Sequence, residues 1–471
     1  MTGPATTTQP VSISPPGIAR RAPRRQRFGV ADELTCYYDR PDEPANVHVE
    51  ARVCGGLDEP AIRAAVRAVL VAESGVRVRR AATSLWGRGY YWEFPGEPDT
   101  DPVRAASYAD EAELATLRSA LLSQSPSLGV APPVRFLLAT GPGGAAFIMN
   151  AHHARLDGLA CLRLFRAVAE KYSEVGGGPP PEPVPVSASP GLTSGSGRLA
   201  PAAPVTTTKT GPGRVTRIVA EPEQGPAAAR AGYGALEVSW DGLAAATAQR
   251  AAGRSVNDLL ITAMAITIGE WNQAHGSAAG LIKITMPVGD TAQAGPGGAW
   301  ANRSRLTAVN LRLSPATTRA ALLDEVASQT SYSKNHPGPQ VDLFSRTLAA
   351  APVPVAAKQR LLRLALAVGG PFLCDSCLVS NLGVIEPIQF GAAVSARGDH
   401  SPLPPAIASE VWFSTSAHMP RGLSLGVVTV GGQLRLTFRY RRALFRDSAA
   451  ESFAARYRAV LDGLTGRELP A

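Results

Sequence analysis

Along the chain, stretches in which apolar residues alternate with polar ones give way to stretches in which they recur every three or four positions. Asn46–Val53 (NVHVEARV) alternates as a half-buried strand does. Leu57-Asp58-Glu59-Pro60 then opens a helix, with Asp58 as cap, Pro60 in the first turn, and Ile62, Val66, Val69 and Leu70 on one face. Residues 76–79 alternate again, and 85–94 (LWGRGYYWEF) read as an aromatic-rich strand. Residues 111–123 form a helix carrying Leu114, Leu117, Leu121 and Leu122. Two apolar runs of strand length, 133–140 and 145–151, flank Gly141-Pro142-Gly143-Gly144, which predicts a β-hairpin. Leu159, Leu162, Phe165, Val168 and Tyr172 follow at helical spacing. With a short segment over 28–38 at its start, this order describes an α+β or mixed α/β lobe over residues 28–174.

Periodicity then stops. Residues 175–215 hold nine Pro and eight Gly, with Ser and Thr between them, and read as a linker that cannot pack a core. A second lobe is expected over 216–471. It starts with a strand at 235–240 and a helix ending near Gly253. Ser255-Val256-Asn257-Asp258 caps a long helix whose buried face is Leu259, Leu260, Ala263, Met264, Ile268 and Trp271. Strands are expected over Leu281–Val288 and 307–313, a helix over 320–331, partial helix over 337–370, and a strand running into a turn at 378–383. Residues 423–440 form a hairpin about Gly431-Gly432, and a helix over 448–464 closes the chain.

Composition changes this picture little. The chain has 471 residues, 45% of them hydrophobic, enough for two or three sizeable cores. Of the net charge of +9, five units are Arg20, Arg21, Arg24, Arg25 and Arg27, in a segment without acids. The remaining +4 is spread over 441 residues, which argues against nucleic acid as a partner. Residues 1–27 read as a disordered arm with no signal-peptide core, and no stretch is long and apolar enough to span a membrane. Five scattered cysteines suit a reducing cytoplasm. The single Cys374-x-x-Cys377 lacks the second pair of a zinc site. Arg77, Arg79, Arg80, Arg439, Arg441 and Arg442 read either as solvated surface or as a site for phosphates or an acidic carrier.

The chemistry concentrates in Met149-Asn150-Ala151-His152-His153-Ala154-Arg155-Leu156-Asp157-Gly158, at the end of the hairpin and the start of a helix. Adjacent strand residues face opposite ways, so one histidine alone can face a given cavity. A neutral imidazole held at a strand end is suited to taking a proton near pH 7. Three other readings stay open on the residues alone. The pair can belong to a satisfied core with Asp157 as a helix cap, or to a metal site, or, through His152-x4-Asp157, to the motif of glycerolipid acyltransferases of another fold.

His152-His153-x-x-x-Asp157-Gly158 resembles the motif of the condensation-domain superfamily, which includes chloramphenicol-acetyltransferase-like enzymes and alcohol acyltransferases. Short stretches of the second half support it. Ser255-Val256-Asn257-Asp258-Leu259-Leu260, Met286-Pro287-Val288 and Ser380-Asn381-Leu382-Gly383 look like segments of wax-ester synthases and mycobacterial polyketide-associated acyltransferases, and the closing hairpin and helix with Tyr440 and Phe445 fit as well. The Asp-Phe-Gly-Trp-Gly motif of the plant branch is absent, as is the N-terminal signature of peptide-forming condensation domains.

The resemblance implies two chloramphenicol-acetyltransferase-like lobes in a V about a central channel. It implies transfer of an acyl group from a pantetheine thioester, acyl-CoA or acyl carrier protein, to an alcohol or amine, in secondary metabolism or lipid tailoring. The alternatives are a stand-alone condensation enzyme of peptide or polyketide synthesis and a non-catalytic carrier-binding scaffold. It makes His153 the base, Asp157 the brace of the loop and His152 structural, with Gly158 leaving room for pantetheine and Ser380 and Asn381 lining the site as candidate oxyanion donors. No metal or cofactor is called for. Where relatives carry an Arg after the Pro-Val strand end, this chain has Gly289-Asp290-Thr291, so Arg303, with Arg305 as second choice, is expected to pair with Asp157, the alternative being that backbone N–H groups alone satisfy the carboxylate.

Overall fold

The computed structural model describes residues 24–175, 213–225, 231–249, 253–278, 280–288, 300–314, 316–336, 341–391, 406–408 and 410–466. Most of the expected linker, all of 289–299 and the first 23 residues lie outside them.

The first lobe is built on a five-stranded sheet in the order Glu410–Thr415, Asn46–Val53, Gly144–His152, Val134–Gly141, Val103–Ser107. The predicted hairpin is present, with Val134 opposite Ala151, and its second strand also pairs with Asn46–Val53. Odd-numbered residues of Gly144–His152 enter the main core, where Phe147 and Met149 meet Ile62 and Val66 of helix Glu59–Ala72 and Leu162 and Phe165 of helix Gly158–Val175. Even-numbered ones face helix Glu111–Leu122, where Ile148 packs with Leu114. Asp58 caps its helix by accepting the Ala61 N–H at 3.0 Å, as the sequence predicts.

The second lobe carries a six-stranded mixed sheet in the order Arg305–Arg312, Leu281–Val288, Cys377–Ile385, Leu423–Val430, Gln433–Arg441, Tyr233–Trp240. Helices Val256–Ala274, Arg319–Asn335 and Asp447–Leu464 contribute to its core. The expected cap of the first of these is a full capping box. Ser255 Oγ takes the Asp258 N–H and Asp258 returns to the Ser255 N–H.

Several boundaries differ from expectation. Residues 24–27, expected in the disordered arm, form a strand beside Tyr91–Phe94, tied down by an ion pair from Arg25 to Glu93 at 2.6 Å. The strand expected from residue 85 starts only at Tyr91, and the one over 76–79 shrinks to Arg79–Arg80. A dividing line at residue 216 also fails to separate the sheets. Strand Glu410–Thr415 leaves the second half, pairs with Asn46–Val53 and places Val411 and Phe413 in the first core. Gly426 permits this crossing, because a Cβ there would lie 1.9 Å from the Phe413 carbonyl oxygen. Helix Val355–Leu373 likewise serves the first half. Lys358, fully buried, donates to Glu33 Oε1 at 3.3 Å and to the Arg88 and Ala349 carbonyls at 2.7 and 2.6 Å.

Candidate active site

The motif sits where strand Gly144–His152 runs out. The His153 N–H extends the ladder by one bond, to Ala45 O at 2.9 Å, and the chain then turns on hydrogen bonds from the Arg155 and Leu156 N–H groups to His152 O. Ala154, Arg155 and Leu156 are all buried. Arg155 is held by the Gly75 carbonyl at 2.8 Å and lies over the Trp92 ring. Asp157 caps helix Gly158–Val175 through the Ala160 N–H at 2.9 Å.

The two histidines diverge as strand alternation requires. His152 is buried, its Nδ1 accepts the Ala154 N–H at 3.1 Å, and its Nε2 faces Asp39 Oδ2 at 3.4 Å. Asp39 is itself held by the Ala45 N–H and the Ser125 hydroxyl. Burial pushes its pKa up, but those bonds and His152 outweigh it and hold the carboxyl below its ordinary range. This environment suits a structural role for His152.

His153 is half-buried and turned toward the second lobe. Asn302 Nδ2 donates to its carbonyl oxygen at 3.1 Å and lies 3.5 Å from its Nδ1, while Nε2 has no hydrogen-bond partner among the described residues. Burial is the largest influence on the ring and sets its pKa below the ordinary histidine value. A hydrogen bond to its own carbonyl and the Asp157 charge pull the other way without reversing it. The ring is therefore neutral at pH 7, with Nε2 unengaged, which is the state a general base needs. His418, unnoticed in the sequence, stacks on Tyr38, and its protonated form would be repelled by that of His153. Its Nε2 is buried without a partner among the described residues, and burial, then Arg421 and Arg439, push its pKa down to about 3.

The second lobe reaches this site along residues 300–304. Trp300 donates to Glu73 at 2.7 Å, Asn302 holds His153, and Asp157 Oδ2 accepts the Arg303 N–H at 3.0 Å and the Ser304 hydroxyl at 3.3 Å. The expected pairing of Asp157 with Arg303 thus takes a different form. At residue 303 the group that meets the carboxylate is the backbone N–H. Asn302 and Ser304, which flank the nominated arginine, do the remaining work and carried no motif signal of their own.

The turn nominated in the second half also arrives, through another residue. Ser380 is buried in strand Cys377–Ile385, and Asn381 is committed to Asn257 Oδ1 at 2.7 Å and the Gly383 N–H at 2.8 Å. It is Leu382 that meets the motif. A Cβ on Gly158 would lie 2.8 Å from Leu382 Cδ2 and 2.9 Å from the Phe413 ring, so protein fills the room expected there for pantetheine. Most of the arginines nominated for phosphate are engaged as well, while Arg80 lies over the Tyr90 ring. Arg77 donates to the Leu70, Val71 and Pro95 carbonyls, Arg79 pairs with Glu93 and Asp99, and Arg442 pairs with Asp447. Arg439 is fully buried between the lobes on Asn46 Oδ1 and Leu122 O. Among the described residues no three His, Cys, Asp or Glu side chains are gathered as a metal-ligand set.

No family model matches the chain. In sequence it is similar to the uncharacterized protein Rv2305 of Mycobacterium tuberculosis (strain ATCC 25618 / H37Rv), at 31% identity over 444 residues, 92% of this chain and 98% of the relative. In structure it is similar to the first condensation domain of the calcium-dependent antibiotic synthetase, solved with a substrate analogue, at a TM-score of 0.64 and 15% identity over 94% of this chain and 97% of that one. It is also similar to the epimerization domain from the third module of tyrocidine synthetase B, at a TM-score of 0.56 and 16% identity over the same shares.

Proposed function

Because the chain belongs to the family of the mycobacterial protein Rv2305, and its two-lobed fold is that of the condensation-domain and chloramphenicol-acetyltransferase-like superfamily, we propose that it is a stand-alone condensation-type enzyme. It would join an acyl group carried as a pantetheine thioester to an amine or alcohol, forming an amide or ester. A fold alone does not choose a chemistry, and a chain of this fold is an epimerization domain. The observation that carries the proposal is His153, a neutral imidazole at a strand end with its Nε2 unengaged and its backbone held by Asn302 from the other lobe.

In the proposed step the amine or hydroxyl attacks the thioester carbonyl while Nε2 of His153 takes its proton. The tetrahedral intermediate then collapses, the C–S bond breaks, and the proton passes to the departing thiolate. Asp157 keeps the loop in place and moves no proton. Likeness to a condensation domain supports amide or ester formation of the kind found in peptide and polyketide synthesis ahead of acyl transfer from acyl-CoA or a carrier protein in secondary metabolism or lipid tailoring, which the motif alone put first. The short stretches that resemble wax-ester synthases keep an alcohol among the acceptors to be tried.

The test is turnover of matched acyl-CoA and acyl-carrier donors with trial amines and alcohols. His153→Ala is expected to lower turnover by about two to four orders of magnitude while leaving donor binding intact. Tight carrier binding without turnover in the wild type would support the scaffold reading instead, and inactivity together with no binding of either donor would end the thioester hypothesis.

A further inference from the structure

Leu85 and Trp86 are the two most exposed large apolar side chains of the described residues, at 90% and 81%. They are neighbours on the loop between strands Arg79–Arg80 and Tyr91–Phe94. The loop is not slack. The Val355 N–H donates to Gly87 O at 2.9 Å, and the buried Lys358 ammonium grips Arg88 O. Both anchors lie at the start of helix Val355–Leu373, and that helix shows a second apolar strip, Leu361, Leu364 and Val368, at 49, 61 and 73% exposure. Positions i, i+3 and i+7 share one helix face. So a fixed loop and an adjoining helix both turn large apolar groups to solvent, which ordinary soluble surfaces avoid.

The charge around them is predominantly positive, the nearby Glu93 being held by Arg25 and Arg79. Residues 76–92 and 343–373 contain no Asp or Glu. A cleft of about 420 Å³ opens beside the loop, lined by Arg25, Arg27, Arg88, Tyr91 and the Thr83 and Ser84 hydroxyls, with no acidic residue in its wall. Arg27 and Arg88 are exposed and have no ion-pair partner among the described residues. Apolar tips standing above unpaired guanidinium groups match the layering of a bilayer, with acyl chains below a plane of phosphates. Trp at such a tip sits well at headgroup depth. A protein partner would need a concave pocket shaped to two protruding side chains, whereas a lipid interface deforms around them.

We propose that this face docks the protein on an anionic phospholipid surface. Leu85 and Trp86 enter the interface, Arg27 and Arg88 take lipid phosphates in the cleft, and the helix strip rests on the headgroup boundary. The attachment is peripheral, since no helix among the described residues is long and apolar enough to cross a membrane.

One feature of the molecule makes the test direct. Of its six tryptophans, Trp86 alone is exposed, the others being 8% exposed or less. Full-length protein is mixed with vesicles of phosphatidylcholine alone or with phosphatidylglycerol, some carrying brominated acyl chains, and then sedimented. The wild type is expected to pellet with the anionic vesicles and be released by raised salt. Brominated lipid should quench part of its fluorescence, and that part should be missing in Trp86→Phe. Leu85→Ser/Trp86→Ser should weaken vesicle binding by about tenfold or more, and Arg27→Glu/Arg88→Glu should erase the preference for anionic lipid. Wild type left in the supernatant, or a Leu85→Ser/Trp86→Ser protein that pellets as the wild type does, overturns the proposal. So does a Leu85-dependent dimer that ignores vesicles. Quenching in the wild type decides the matter even where a variant folds poorly.

Discussion

At the scale of single residues, the site rests on two neighbouring histidines with different surroundings. His152 is buried against Asp39, and His153 turns to the second lobe. Burial lowers the His153 pKa, so its folded-state value lies below its unfolded one. The sign follows from this. Stability is therefore complete above the unfolded value and declines as pH falls from there toward the lowered folded one, because the unfolded chain takes up a proton that the folded ring refuses, while the basicity of the folded ring is lost only when pH reaches the lowered value. The acidic limb of kcat/KM should therefore lie below pH about 6.5, the unperturbed histidine value. A limb at or above that value in a pH–rate profile would remove His153 as the titrating base. Asn302 acts on the reaction through His153. Asn302→Ala should lower kcat by up to about 10²-fold through misplacement of the ring, with KM for the donor little changed. A rise in KM with unchanged kcat would make Asn302 a binding residue instead.

At the scale of elements, what matters is how the start of helix Gly158–Val175 is closed over. Glycine stands at 158 where Leu382 and Phe413, from two different strands of the second half, converge. Gly158→Ala should cost about 1–3 kcal/mol by overpacking. Leu382→Ala in the same chain should recover part of the loss, since one of the two obstructing groups is then gone. Urea melts of the single and double variants measure this coupling. A Gly158→Ala protein with unchanged stability and lost activity would return the glycine to the role first expected of it, clearance for a ligand. The same junction explains why Asp157 needs no guanidinium. Two backbone N–H groups and a hydroxyl already satisfy its carboxylate.

At the scale of the whole molecule, the lobes are joined through a buried ionic cluster as well as through the exchanged strand. Arg118 grips Glu50 with two bonds of 2.6 Å and reaches Glu237 of the second sheet at 3.3 Å, while Arg52 donates to Glu237 at 2.9 Å. Burial acts against Glu50, but Arg118 outweighs it and holds the carboxyl well below its usual range. Burial, then the Glu50 charge, push Glu237 the other way, up to about 8. A raised folded-state pKa means that the contribution of Glu237 is complete below its ordinary 4.5 and is lost as pH rises through about 8. Glu237→Gln should therefore flatten the fall in melting temperature across that window, whereas Arg118→Ala, which strands a buried Glu50, should destabilise by about 3–5 kcal/mol. A wild-type melting temperature that stays level across the window, with Glu237→Gln parallel to it, would show that Glu237 is ionised throughout and that the arginines dominate.

Local order was the part of this protein that its sequence determined. Strands Asn46–Val53 and Leu281–Val288, the two hairpins, and the helices opened by Asp58 and Ser255 stand where apolar periodicity and capping residues put them. Those signals act over a few residues and are written in consecutive side chains. The position of the two histidines at a strand end followed from the same alternation. Tertiary structure decided everything that depends on chain segments far apart. Strand Glu410–Thr415 carries the short apolar run Val411-Trp412-Phe413 of a buried strand, and nothing local says that its partner lies more than 350 residues earlier in the other lobe. Asn302, Ser304, Leu382 and His418 carry no motif and meet the site only because the two lobes exchange segments. Arg303 was a reasonable guess for charge alone, yet hydrogen-bond geometry at the helix cap favoured its backbone. A sequence records which groups want partners, and three-dimensional packing decides which partners they receive.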